Sequence, residues 1–163
     1  YKKKKIKDLV VCFLDRPRHK NIFNVVKKKK CKKLLIPDGD IFGAISTSVK
    51  KFNIDLYVGV GGAPEGVLAA SALKCLNGQM QCRLIFSNNE QRKRAMSMGI
   101  KNLKKKYQIE DLIKKDSIFV ATGVTDGYLL NGIKKEKDIF STHSLIISTK
   151  NKKINFKKNK FKI

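Results

Sequence analysis

Histidine, arginine, acidic residues and long apolar runs are all scarce in this chain, and each scarcity removes a class of function. Only His19 and His143 are present, and the four cysteines, Cys12, Cys31, Cys75 and Cys82, form no CxxC pair. A zinc site or a disulfide framework is therefore not expected. Cys12 and Cys75 sit inside apolar runs, where a thiol behaves as a small buried hydrophobe, which suits a reducing, cytoplasmic setting. No stretch reaches the roughly 18 uninterrupted apolar residues that a membrane span needs. The longest, LYVGVGGAP and VLAASAL, are broken by Glu65 and Lys74, so a soluble protein with no membrane partner is expected. The opening YKKKKIK lacks the apolar core and small-residue cleavage site of a secretory signal. Because it begins at Tyr1, we read the start as a truncation or the middle of a longer chain.

Acidic residues number 13 against 37 basic ones, a net charge of +24 with a pI near 10.1. Such a balance invites a nucleic-acid reading. The composition argues against it. Only Arg16, Arg18, Arg83, Arg92 and Arg94 are arginines; the rest are lysines in runs such as 27–30, 104–106 and 157–158, accompanied by many Asn and Ile residues. No interleaving of aromatics with arginine accompanies the charge, so it reads as a solvated lysine coat, with no specific nucleic-acid partner.

What is there alternates short apolar runs with helical ones, the pattern of an α/β layer protein. Its 163 residues with 42% hydrophobic content suffice for one core. Strands are expected over 8–15, from the KKLLIPDGD stretch to residue 40, and over 54–60, 81–86, 117–124 and 144–149. Helices are expected over 20–30, 42–51, 65–76 (apolar nearly all round, hence buried) and from 88 or 89 to a stop at Gly99. Residues 102–115 read as a loop with a short helix near 110–113. The domain is assigned to 1–150, and 151–163 to a weak strand and frayed basic tail. There is no internal repeat.

Four polar clusters fall at the predicted carboxyl ends of strands, where open α/β sheets place their ligand crevice. In Asp15-Arg16-Pro17-Arg18-His19, proline stiffens a turn whose two guanidinium groups can present forked donors to a phosphate; an exposed, salt-bridged loop is the competing reading. In Pro37-Asp38-Gly39-Asp40, an extended backbone would put both carboxylates on one side, able to grip adjacent hydroxyls or help organise a cation. Asp-Gly is equally a common surface turn. Residues 59–66, GVGGAPEG, run from a strand through glycines into a helix, leaving backbone N–H groups free for an anion at the positive end of the helix dipole. Glu65 at that helix start either complements the dipole or ligates a divalent cation. A dinucleotide-binding turn is disfavoured because Pro64 and Glu65 break its spacing. Residues 121–127, ATGVTDG, offer two hydroxyls and a carboxylate on a turn, a capped turn and a substrate contact being equal readings.

Taken in order, LDRPRH, the DGD turn, GVGGAPEGVLAASALKCLNGQMQCRL and FVATGVTDGYLLNGI closely resemble the class II fructose-1,6-bisphosphatases, a bacterial-type branch of the lithium-sensitive sugar-phosphatase superfamily. The resemblance covers nearly the whole chain to about residue 149. It implies the α/β layered sugar-phosphatase fold, of which this chain is the carboxyl-terminal sheet-and-helix portion. It also implies a Mn²⁺- or Mg²⁺-dependent hydrolase that removes the 1-phosphate of fructose 1,6-bisphosphate in gluconeogenesis and glycerol metabolism, with water activated for in-line attack and no covalent phospho-enzyme. Sedoheptulose 1,7-bisphosphate is a second possible substrate, and a non-catalytic basic module derived from such an enzyme is the alternative of another class. By the resemblance Arg16, Pro17, Arg18, Asp38, Gly39, Asp40 and Gly62 contact substrate, Glu65 ligates a metal, and the partners are a sugar bisphosphate and further copies of the chain. No catalytic residue is assigned. Cys82 stands where the family usually has Gly, and Tyr128 where it has Asp. The family's remaining metal-binding carboxylates belong to an amino-terminal half not found here, so residues 1–163 are expected to form an incomplete active site.

Overall fold

The computed structural model describes residues 3–162, so Tyr1, at the expected truncation, and Ile163, the last residue of the expected tail, lie outside it. The first layer is a parallel sheet of β1 (Val10–Leu14), β2 (Lys32–Ile36) and β3 (Leu56–Tyr57) in the order β2-β1-β3. β1 is apolar throughout because both of its faces are covered, as in parallel sheets generally. Val11 and Phe13 point to α1 (Lys20–Lys28), packing with Val26, Ile22 and Phe23. Cys12 and Leu14 point the other way, joining Ile36, Ile54, Phe42 and Tyr57 beneath α2 (Asp40–Ser46). The two-residue period of a strand thus builds two small cores from one sequence run.

α3 (Ala63–Cys75) is the central helix. Small residues, Ala69, Ala70 and Ala72, let it approach α2 on one side, where Ala44 and Leu73 meet. On the other side Ala72 and Cys75 pack with Phe119, Leu145 and Ile147 of a second, antiparallel sheet. That sheet contains β6 (Ile118–Thr122), β7 (Lys134–Glu136), β8 (Ile139–Ser148) and β9 (Asn155–Lys162), with β8 pairing to all three others. A smaller ribbon pairs β4 (Gln81–Arg83) with β5 (Lys106–Gln108), flanked by α4 (Asn89–Ser97) and α5 (Ile109–Leu112). Asn88 caps α4 by accepting the Gln91 backbone N–H at 2.9 Å. Among the described residues no helix is long and apolar enough to cross a membrane.

Several expected elements change. Of the reading of 151–163 as a weak strand and frayed tail, the strand is present and the fraying is corrected: Asn155–Lys162 pairs with β8 over eight residues. Its lysines disguise the alternation, and lysine is suited to a strand at a sheet edge, where charge discourages pairing with foreign chains. β7 is absent from the sequence reading, as Lys134-Lys135-Glu136 carries no apolar residue. The expected strand 54–60 shortens to Leu56–Tyr57, and the expected helix 42–51 becomes Asp40–Ser46 followed by a separate 3₁₀ turn, Lys50–Phe52.

Candidate functional site

The loops following β1, β2 and β3 converge on one open pocket of about 470 Å³, lined by Leu14, Arg16, Arg18, Asp38, Asp40, Val60, Gly61, Gly62 and Glu65. It lies at the carboxyl ends of parallel strands, the ligand crevice of open α/β sheets. Three of the four polar clusters singled out in the sequence therefore share a single site. The fourth does not line it. There Thr122 Oγ1 hydrogen-bonds Ser144 Oγ of β8 at 2.8 Å, and the Asp126 carboxylate accepts the Gly132 N–H at 2.8 Å, so both groups are engaged in holding the antiparallel sheet and its loop.

Pro17 opens a 3₁₀ turn, Pro17–His19, and Arg16 and Arg18 flank it as exposed side chains. The Arg18 Nε donates to the Val60 carbonyl at 2.7 Å, which anchors the guanidinium root at the pocket wall and leaves its other nitrogens for an anion. Arg16 lies 3.9 Å from the Asp38 carboxylate, whose side chain is 90% exposed, so this pair is weak and open to exchange for a ligand.

The carboxylates of Asp38 and Asp40 do not share a pocket through an extended backbone, as their spacing suggested. Gly39 adopts a left-handed conformation (φ 97°) that places Asp40 in the first turn of α2, leaving Asp38 on the preceding turn. The Tyr57 hydroxyl donates to Asp40 Oδ1 and orients that carboxylate. Tyr57 is itself confined between two glycines: a side chain at Gly43 would enter its ring, and one at Gly59 would stand 2.8 Å from its hydroxyl. Burial, followed by the Asp40 hydrogen bond, keeps the phenol protonated well beyond the ordinary tyrosine range.

At the third loop, Pro64 occupies the first turn of α3 and Glu65 folds back so that Oε2 accepts the Gly62 N–H at 2.8 Å, half of a capping box. A side chain at Gly61 would stand 3.1 Å from Glu65 Oε2 and 3.6 Å from Asp40 Oδ2. The bare glycine thus lets two carboxylates approach one point. Their oxygens suit a hard divalent cation in type. In number they fall short, since among the described residues no group of three or more His, Cys, Asp or Glu side chains could hold a metal.

Two residues of the site were missed as such in the sequence. Tyr57 reads as strand filling, and its only signal is a polar-tipped aromatic ahead of a glycine turn. The sequence presents His19 only within its cluster and as an isolated metal ligand, whereas its ring is buried, 1% exposed, and bonded at both nitrogens. Tyr128 stacks on Phe42 of α2 at 5.0 Å, so the turn after β6 braces the helix that carries Asp40.

An alkaline liability follows from Tyr57 and Cys12, whose thiol burial pushes up to about 11. A pKa raised in the folded state contributes stability below the unfolded value and loses it as pH rises toward the folded one. The melting temperature is therefore expected to fall as pH climbs above about 9–10, the range where the unfolded groups ionise. Tyr57→Phe should flatten part of that fall in thermal melts, and an unchanged slope would contradict the assignment.

Charged side chains around the open carboxyl ends of a parallel sheet define an α/β protein of the crevice-binding class. A family model described as bacterial fructose-1,6-bisphosphatase, glpX-encoded, matches residues 1–161. The chain belongs to that family, a family of hydrolases of carbohydrate metabolism that generally need a divalent metal. It is 37% identical to "Fructose-1,6-bisphosphatase class 2" of Haemophilus influenzae, over 93% of this chain and 49% of that protein. It is 36% and 35% identical to proteins of Synechocystis sp. and Trichodesmium erythraeum, each named "D-fructose 1,6-bisphosphatase class 2/sedoheptulose 1,7-bisphosphatase", over 93% of this chain and 48% of each relative. The chain spans about half the length of the curated relatives it matches.

Proposed function

We propose that residues 1–163 carry the sugar-phosphate-binding part of a metal-dependent phosphatase that hydrolyses the 1-phosphate of fructose 1,6-bisphosphate, yielding fructose 6-phosphate and phosphate. The observation that carries this reading is the convergence of Arg16, Arg18, Asp38, Asp40, Gly62 and Glu65 on one pocket. The guanidinium groups of Arg16 and Arg18 bind one phosphate by charge-assisted hydrogen bonds, with Pro17 stiffening their turn. Asp38 and Asp40, set by Gly39, accept hydrogen bonds from sugar hydroxyls, and Tyr57 holds Asp40 in place for that role. Gly62 keeps the backbone at the start of α3 bare beside the reacting end of the sugar. Glu65, facing Gly61 together with Asp40, would hold Mn²⁺ or Mg²⁺. Such a cation, when bound, neutralises phosphoryl charge and activates water.

A second substrate, sedoheptulose 1,7-bisphosphate, is favoured by the two relatives named for both activities and by the pocket's openness toward solvent. A gluconeogenic role, a cytoplasmic setting and a homo-oligomeric state accompany the reading by family likeness. The alternative, a non-catalytic basic module, is disfavoured by the pocket's intact mix of guanidinium and carboxylate groups.

Phosphate release tests the proposal. Residues 1–163 alone are expected to bind fructose 1,6-bisphosphate without turnover, because two converging carboxylates are too few for the metal. A polypeptide that also contains the half matching the rest of the relatives' length should release phosphate in Mn²⁺. If that longer polypeptide leaves the sugar bisphosphate intact, the binding-module reading takes its place.

A further inference from the structure

In the ladder between β1 and β3, the Val58 N–H donates to the Cys12 carbonyl at 3.0 Å. Bonds between parallel strands recur every second residue, so the next should join the Val60 N–H to the Leu14 carbonyl. It does not form. The His19 ring stands in its place: Nδ1 is 2.9 Å from Leu14 O, and the Val60 N–H donates to Nε2 at 3.0 Å. Since a carbonyl only accepts and an amide N–H only donates, the partners select the neutral tautomer with its proton on Nδ1.

One ladder bond is thus replaced by a bridge the width of an imidazole, at the point where Leu14 and Val60 line the pocket. The neighbouring Arg18 holds the other backbone group of Val60, its carbonyl. Consecutive residues of the first loop therefore grip the residue that leads into the Gly61-Gly62 turn and, three residues beyond it, Glu65. Nothing else in the pocket uses the His19 ring, which is buried and fully bonded.

We infer that His19 is a positioning residue that holds the end of β1 and the loop after β3 one imidazole width apart, and so sets the spacing between the guanidinium pair and the glycine turn for a substrate with two phosphates. The inference rests on the sugar-bisphosphate reading of the pocket. His19 touches no reacting atom; it acts through Leu14, Val60 and Arg18.

Three variants and one spectroscopic signature test it, all in the 163-residue chain. Nitrogen NMR of the wild-type imidazole should show His19 protonated at Nδ1 and bare at Nε2. Titration with fructose 1,6-bisphosphate should show His19→Ala binding about tenfold or more weakly, the scale of one well-made hydrogen bond, at a melting temperature that still reports a folded chain. His19→Gln, whose amide offers a donor and an acceptor at similar separation, should stay within about threefold of wild type. Should His19→Ala fail to fold, His19→Phe keeps a ring while losing both nitrogen bonds and carries the same expected loss. A proton on Nε2, or an alanine or phenylalanine variant that binds as wild type does, overturns the inference. A wild-type chain that binds no sugar bisphosphate overturns the functional reading instead, and the tautomer then still decides whether the ring bridges the strands.

Discussion

Glu65→Gln is expected to lower phosphatase turnover by about two orders of magnitude or more while leaving the fold in place. The two effects separate because the proposed metal-ligand role adds a second job to the capping one. As a helix-start residue it accepts the Gly62 N–H, and a glutamine carbonyl oxygen can do the same, since Glu and Gln are equivalent at that capping position. Loss of the dipole term alone costs about 0.3–1 kcal/mol. As the proposed donor to a divalent cation the carboxylate would supply charge that an amide does not, and Asp40 stands near enough to share the point beside Gly61. Turnover at increasing Mn²⁺, in the longer polypeptide that contains the remaining carboxylates, should recover in part where cation affinity is what was lost. A thermal melt run alongside should move little. Near-normal turnover would leave Glu65 with its capping role alone.

Arg18→Ala should raise the Michaelis constant by about tenfold to a hundredfold with a smaller change in kcat. Its guanidinium would bind a phosphate that is not transferred, so the contact is equal in ground and transition states and its loss is felt as binding. The side chain also anchors the Val60 carbonyl through Nε. Lysine, a point charge without a fork, cannot both anchor the carbonyl and grip the phosphate, so Arg18→Lys should recover only part of the affinity. Initial-rate kinetics decide the matter: a fall in kcat with an unchanged Michaelis constant would move Arg18 from the distal phosphate to the reacting one.

Much of this architecture was legible because local signals agreed. β1 is a run of β-branched and apolar residues ending at charged Asp15, α4 has an Asn cap at its start and Gly99 just past its end, and α3 is introduced by glycines and Pro64. Where the reading failed, tertiary contacts had overruled local pattern. Gly39 turns the DGD segment into a helix start, so the carboxylates reach the pocket by a bend that residue spacing does not reveal. The strand expected over 54–60 stops after Tyr57, and at Val60 a side chain from another loop replaces the ladder partner. β7 and β9 are lysine-rich edges whose pairing is supplied by the long strand β8; composition hides β7 altogether and makes β9 look weaker than its eight-residue pairing. The pairing of Tyr57 with Asp40 joins residues 17 apart through the packing of α2 over the first sheet, a relation no linear motif encodes.

On the proposed function the three loops form one sugar-bisphosphate site. Amide NMR of the 163-residue chain during titration with fructose 1,6-bisphosphate tests it most directly. Saturable shifts are expected at Arg18, Asp40, Gly61 and Gly62, moving together with one dissociation constant, while the turn at 123–127 stays unmoved. Shifts confined to that turn or spread over the surface lysines, with the three loops silent, would contradict it.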